Sequence, residues 1–228
     1  MVSVRCGIGL ALSALVVAAA AAAPASAAVI CVGVPQRQGL QGCDDVRQGL
    51  QETLDAAGER AGADTVRIYG TTHQVPAGLV YSDRGQPDNE VVIEEGADCD
   101  RYGCTQVSLE GGPPGGSMLS FAGGGGARVT VTGLGFKPDS GVTALALSAG
   151  AEAQGVWVSG RDGTTGIRSN GTPDRPVVIG FGQIWHEVGG AQDVGIDATG
   201  TTVLEDVSLQ PARHLSRARP ALELPARR

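Results

Sequence analysis

The side chains able to do chemistry gather late in the chain. Asp162, Asp193, Asp197, Glu205 and Asp206 are the candidate acids there, with Arg161, Arg168 and Arg175 among them and Trp185-His186 between. Two carboxylates facing one groove can share the acid and base steps of a hydrolysis. Clustered acids can instead hold a hard cation beside an arginine that moves a proton. Asp193, Asp197, Asp206 and Arg168 are the catalytic candidates by this reading. None stands in an established motif, for the sequence holds no Asn-x-Asp and no Gly-His-Gly. Asp162-Gly163, and Asp197 ahead of Ala198-Thr199-Gly200, read more simply as turns. His186 reads as a solvated loop residue and Glu94-Glu95 as the charged end of a strand.

Other signatures are missing as well. The Gly123–Gly126 run precedes no helix and no Lys-Ser/Thr, so it is not a phosphate loop. Calcium-binding nonapeptides are absent. Asn170-Gly171-Thr172 is a glycosylation triplet, of use only in a host that modifies it. No cofactor and no metal site are expected.

The N-terminus has the order of a secretory signal peptide. Arg5 gives a basic start, Ile8 to Ala23 is uncharged and apolar, and Pro24 breaks the run before Ala25-Ser26-Ala27. Residues 1–27 are therefore expected to be removed, so that the mature chain starts at Ala28 and is secreted. The apolar stretch is short for a bilayer span, and no later segment could cross one. Cys6 leaves with the signal. Cys31, Cys43, Cys99 and Cys104 remain, and an even count in an exported chain favours disulfides over zinc. Four cysteines allow three pairings. The local ones, Cys31–Cys43 and Cys99–Cys104, are favoured because the second closes a tight Asp-Arg-Tyr-Gly turn.

A net charge of −7 disfavours nucleic acid and anionic membrane as partners. With 36 glycines against three Phe, two Trp and three Tyr, the core must be thin and aliphatic and the turns many. About 200 residues remain after the signal, enough for one core.

The elements that must position any site start with one helix. Asp45 and Gln48 resemble a capping box, and Val46, Leu50, Leu54 and Ala57 form an apolar stripe closed by Gly58 and Gly62. Residues 28–62 thus form an N-terminal segment with a helix predicted over Asp45–Ala57. From residue 63 to 210 short β-type runs alternate with Gly, Asp, Asn and Pro. Val129, Val156, Val177 and Val203 mark strand starts with steps of 27, 21 and 26 residues by subtraction. A coil of three short strands and three turns needs about that length, and stacked rungs would share one inner column. In that column Val129, Val131, Leu134, Val156, Val158 and Ile179 point in, while Thr130 and Trp157 face out. An antiparallel sandwich also fits the turn spacing, but two-residue hairpin signals are absent.

The segment from Asp45 to about Gly135 resembles the N-terminal part of right-handed parallel β-helix proteins of the pectate-lyase-like superfamily. The matching phrases are Gly62-Ala63-Asp64-Thr65-Val66-Arg67-Ile68, Val75-Pro76-Ala77-Gly78-Leu79 and Arg128-Val129-Thr130-Val131-Thr132-Gly133-Leu134-Gly135-Phe136. The resemblance implies an all-β solenoid whose first open end is covered by the helix. It also implies chemistry on polysaccharides, by hydrolysis through paired carboxylates or by calcium-assisted elimination. The missing motifs and few aromatics favour a secreted, non-catalytic solenoid whose partner is an extracellular polysaccharide or a surface protein. The alternative is a lyase or hydrolase lacking its catalytic rungs. Rung texture stops at Pro211, and residues 211–228 form an irregular basic tail of five arginines and one acid, Glu223. Truncation of a longer coil and a natural basic tail are both open on the sequence.

Overall fold

The computed structural model describes residues 27–33, 42–84, 89–96, 98–100, 103–122, 127–186 and 194–209. The signal segment before Ala27, the glycine run 123–126, Asp193 and the tail 211–228 lie outside the described residues.

Two short strands come first, β1 (Val29–Val32) and β2 (Asp45–Arg47), then helix α1 (Leu50–Glu59). Five three-stranded rungs follow. They are β3 (Ala63–Ile68), β4 (Thr72–Gln74) and β5 (Leu79–Tyr81), then β6 (Glu90–Glu95), interrupted by the hairpin β7 (Asp98–Asp100) and β8 (Gly103–Thr105) before β9 (Ser108–Gly111) and β10 (Ser117–Phe121). The third rung is β11 (Arg128–Thr132), β12 (Gly135–Pro138) and β13 (Thr143–Ser148). The fourth is β14 (Glu152–Gln154), β15 (Trp157–Gly160) and β16 (Thr165–Asn170). The fifth is β17 (Val177–Gly180), β18 (Gln183–His186) and β19 (Val194–Ala198), and β20 (Thr202–Glu205) and β21 (Ser208–Leu209) begin a sixth.

Apart from the antiparallel β7–β8 hairpin, each strand pairs in parallel with its counterpart in the next turn of the coil, giving a first sheet β2-β1-β3-β6-β11-β14-β17-β20, a second β4-β9-β12-β15-β18-β21 and a third β5-β10-β13-β16-β19. The architecture is a parallel β-solenoid, and the antiparallel sandwich is excluded. Its interior is built by register. On the first sheet Ile30, Val66, Ile93, Val131, Ala153, Ile179 and Leu204 follow one another from strand to strand. The third sheet contributes Leu79, Leu119, Leu145, Ile167 and Ile196. Leu109, Phe136, Val158 and Ile184 do the same on the second. All but Leu204 and Ile196 are buried, and no single rung could bury its share alone.

The expected inner residues Val129, Val131, Leu134, Val156, Val158 and Ile179 are all buried, and Thr130 and Trp157 are partly exposed on the outer face. The repeat needs correcting at one rung. Val156 is not the counterpart of Val129 or Val177. Ala153 holds that place between Val131 and Ile179, and the true steps through Leu204 are 22, 26 and 25 residues by subtraction. A short strand with alanine at its inner position hid the rung from a valine-based count.

The helix is also shifted. Asp45 begins a strand, not a capping box, and α1 starts after Gly49, whose extended backbone carries no side-chain cap. Val46 is exposed, whereas Thr53, Leu54, Ala57 and Gly58 face the coil. Gly58 is within the helix because a β-carbon there would strike the Ser82 carbonyl. Cys31 and Cys43 form a disulfide with an S–S distance of 2.04 Å, holding β1 near the strand that follows. Cys99 stands opposite Cys104 in the β7–β8 hairpin, although their side chains lie outside the described residues.

Candidate functional site: an aromatic and polar strip on the second sheet

Alternation sends every second residue of the second sheet outward, and register lines these residues up across rungs. One outward row is Gln74, Glu110 and Lys137. The Lys137 ammonium donates to Glu110 at 2.7 Å, and the Gln74 amide donates to the other oxygen of Glu110 at 3.1 Å. The Lys137 bond holds the Glu110 carboxyl below the usual carboxylate range. Glu110 is therefore ionised at neutral pH, and each of its oxygens accepts one side-chain hydrogen bond.

The neighbouring row runs Ser108, Gly135, Trp157 and Gln183. Here the sequence makes a platform. Gly135 has no side chain, and the six-membered ring of Trp157 occupies the space that a β-carbon there would need. Lys137 Nζ sits 5.9 Å from the indole centroid, within cation–π range. The sheet corner adds a second aromatic. Gly133, Gly155, Phe181 and Asp206 each occupy the first position of the two-residue bend between the first and second sheets, and all four have left-handed backbone, with φ of 72°, 61°, 51° and 50°. Glycine adopts that conformation freely, but a bulky side chain there is strained. Phe181 keeps it while remaining 65% exposed, two residues before Gln183, the register partner of Trp157. A strained backbone carrying an unburied aromatic points to function, because packing does not account for it.

The catalytic candidates fall elsewhere. Arg168 and Asp197 are register partners on β16 and β19 of the third sheet, with Nε and Oδ2 3.5 Å apart. The expectation of a turn at Asp197 is thus corrected, since it lies within a strand whose alternation was too weak to read. Asp206 is at the bend described above, beyond β20, and Asp193 lies outside the described residues. So one pair of candidates meets, as an exposed ion pair of opposite sign. Two carboxylates do not face each other there. Asp162-Gly163 does form a turn, and His186 ends strand β18 where a loop was expected. Glu94 and Glu95 are engaged: Glu94 bonds Arg67 at 2.7 Å, and Glu95 accepts from the Val107 N–H at 3.4 Å.

Among the described residues no three His, Cys, Asp or Glu side chains stand together as a metal site would require. A cavity of about 20 Å³, lined by Tyr81, Asp83, Phe121, Val129 and Arg175, has room for about one water and none for a sugar ring. Burial, the largest influence on it, pushes the Tyr81 phenol up to about 12, so it stays protonated at neutral pH.

No protein-family model, curated protein or solved structure matches this chain. The strip itself was partly legible. Trp157 was expected to face out, but neither Phe181 nor the row Gln74, Glu110 and Lys137 was. Those three residues are 36 and 27 positions apart by subtraction, and only the coil brings them together.

Proposed function

We propose that the chain is a secreted, non-catalytic β-solenoid module whose second sheet contacts an extracellular polysaccharide. The supporting observation is the Trp157 indole laid over Gly135 beside the Lys137–Glu110–Gln74 row. Such a surface offers an apolar ring face next to fixed donors and acceptors, which suits a ligand made of apolar ring faces edged with hydroxyls. Phe181 extends the aromatic part at the corner. A solenoid surface also suits a long ligand, because rungs repeat along its axis. The phrases from Gly62 to Ile68 and from Arg128 to Phe136 favour membership of the pectate-lyase-like superfamily with a right-handed coil.

Among the described residues, a catalytic reading rests on the Arg168–Asp197 pair. Elimination from a uronic acid would need that arginine free to take a proton, and it is already paired with an acid. Affinity electrophoresis against a panel of neutral and acidic polysaccharides tests the proposal. Retardation by at least one polymer, lost in Trp157→Ala and kept in Arg168→Ala, is the expected result. Release of unsaturated or reducing ends that Asp197→Asn abolishes would replace binding by catalysis.

A further inference from the structure

We propose that Asp64 is the receptor for the processed N-terminus: signal cleavage before Ala28 creates an ammonium that pairs with this buried carboxylate and locks the first strand of the coil. The inference rests on the secretion reading for the position of the cut, and on the structure for the site.

Asp64 lies on β3 and is only 2% exposed. Its Oδ1 accepts the N–H of Ala28 at 3.0 Å, and Ala28 is itself buried. The other oxygen, Oδ2, is buried with no hydrogen-bond partner among the described residues. A buried carboxylate left half satisfied is costly, and native structures seldom keep one without a reason. The carboxyl is held above the usual range, chiefly by burial, against the Ala28 hydrogen bond and the charge of Arg60. In the uncut chain the nitrogen of residue 28 is an amide with a single hydrogen, so it can serve Oδ1 alone.

Cleavage changes that nitrogen. Water adds across the Ala27–Ala28 peptide bond in the signal peptidase reaction, leaving a carboxylate on Ala27 and an ammonium on Ala28. The new group has three N–H donors and a positive charge where one N–H stood before. It can serve both oxygens and neutralise the buried charge. Ala25 and Ala27, the small residues a signal peptidase reads, place the cut at this same nitrogen, although that reading takes nothing from the structure.

The surroundings hold the nitrogen in place. Thr65 N donates to the Ala28 carbonyl at 2.8 Å, and Val29 N donates to Asp44 Oδ2 at 2.8 Å. β1 is paired on both sides, by β2 and β3, and Cys31 ties it to Cys43. An uncut precursor would therefore fold with a penalty at this point that the mature chain lacks. Such a difference favours a looser precursor during export and a tighter product after it.

The test compares three full-length mature chains released from a cleavable fusion: one starting at Ala28, one starting at Ala27, and one starting at Ala28 with its amine acetylated. Urea unfolding should show the free Ala28 chain the most stable, with an unfolding equilibrium constant about tenfold or more below the other two. Asp64→Asn should erase most of that gap, because its amide still accepts the residue 28 N–H but carries no charge. Equal midpoints in all three chains, or a gap that Asp64→Asn leaves intact, would overturn the proposal. N-terminal sequencing of the secreted protein separates the two premises. A start other than Ala28 defeats the expected cleavage site even where the Ala28 chain proves the tightest.

Discussion

The indole of Trp157 lies across Gly135, in the place a β-carbon would take. The same arrangement recurs along the coil. Tyr69 covers Gly96, Gln154 covers Gly180, and the Arg175 guanidinium covers Gly150. In each case a large side chain rests against a glycine of a neighbouring rung, which leaves room to hold it. At Gly135→Ala the added methyl should push the indole off the sheet. Trp fluorescence should shift to the red and polysaccharide retardation should weaken, at a cost of about 1–3 kcal/mol from overpacking. Unchanged emission and retardation would mean that the shelf does not set the ring.

Phe181 should carry a trade between stability and binding. Its left-handed backbone costs about 1–2 kcal/mol for an L-residue, and little burial repays it. Phe181→Gly is expected to raise stability by about 1 kcal/mol in urea unfolding while reducing retardation by the bound polymer. A variant that is more stable and binds as well as the parent would remove Phe181 from the site.

These residues show what the sequence could and could not disclose. Alternation in Val129-Thr130-Val131 and in Trp157-Val158 was readable because inward and outward residues differ in polarity. The rung at Glu152–Gln154 was hidden because its inner residue is alanine, and β19 because Val194-Gly195-Ile196 mixes apolar and small residues without a period. The bend at Gly133 is visible as a glycine, but the equivalent bends at Phe181 and Asp206 are not, since neither residue type announces a left-handed backbone. The Gln74–Glu110–Lys137 row depends on register across long, unequal steps, which local patterns do not encode.

The row should answer to pH through Glu110. Its pKa is lowered, first by the Lys137 hydrogen bond, so its contribution to stability is present above the unfolded pKa and fades as pH falls through the folded one. Lys137→Met should move the Glu110 titration upward in a carboxyl-detected NMR experiment. It should also make stability less sensitive to acid in that range. The effect on neutral-pH stability should be small, because the pair faces solvent. A Glu110 titration that stays in place would show the ion pair to be incidental.

Gln51, on helix α1, covers a strand edge where the helix meets the coil. Strand β5 is the first of the third sheet, so among the described residues its outer edge has no strand to pair with. The Gln51 side chain takes that place: Val80 N donates to Gln51 Oε1 at 2.9 Å, and Gln51 Nε2 donates to the Val80 carbonyl at 2.7 Å. One amide thus reproduces the donor and acceptor of a missing strand, which protects an edge from pairing with another chain. Gln51→Ala should cost about 1–2 kcal/mol, the net worth of two exposed hydrogen bonds. Gln51→Glu should not rescue it, because a carboxylate still accepts from Val80 N but repels its carbonyl. Both variants should lose hydrogen-exchange protection at Val80 and associate more readily as concentration rises. Full protection of Val80 in Gln51→Ala would mean that the helix backbone, not this side chain, covers the edge.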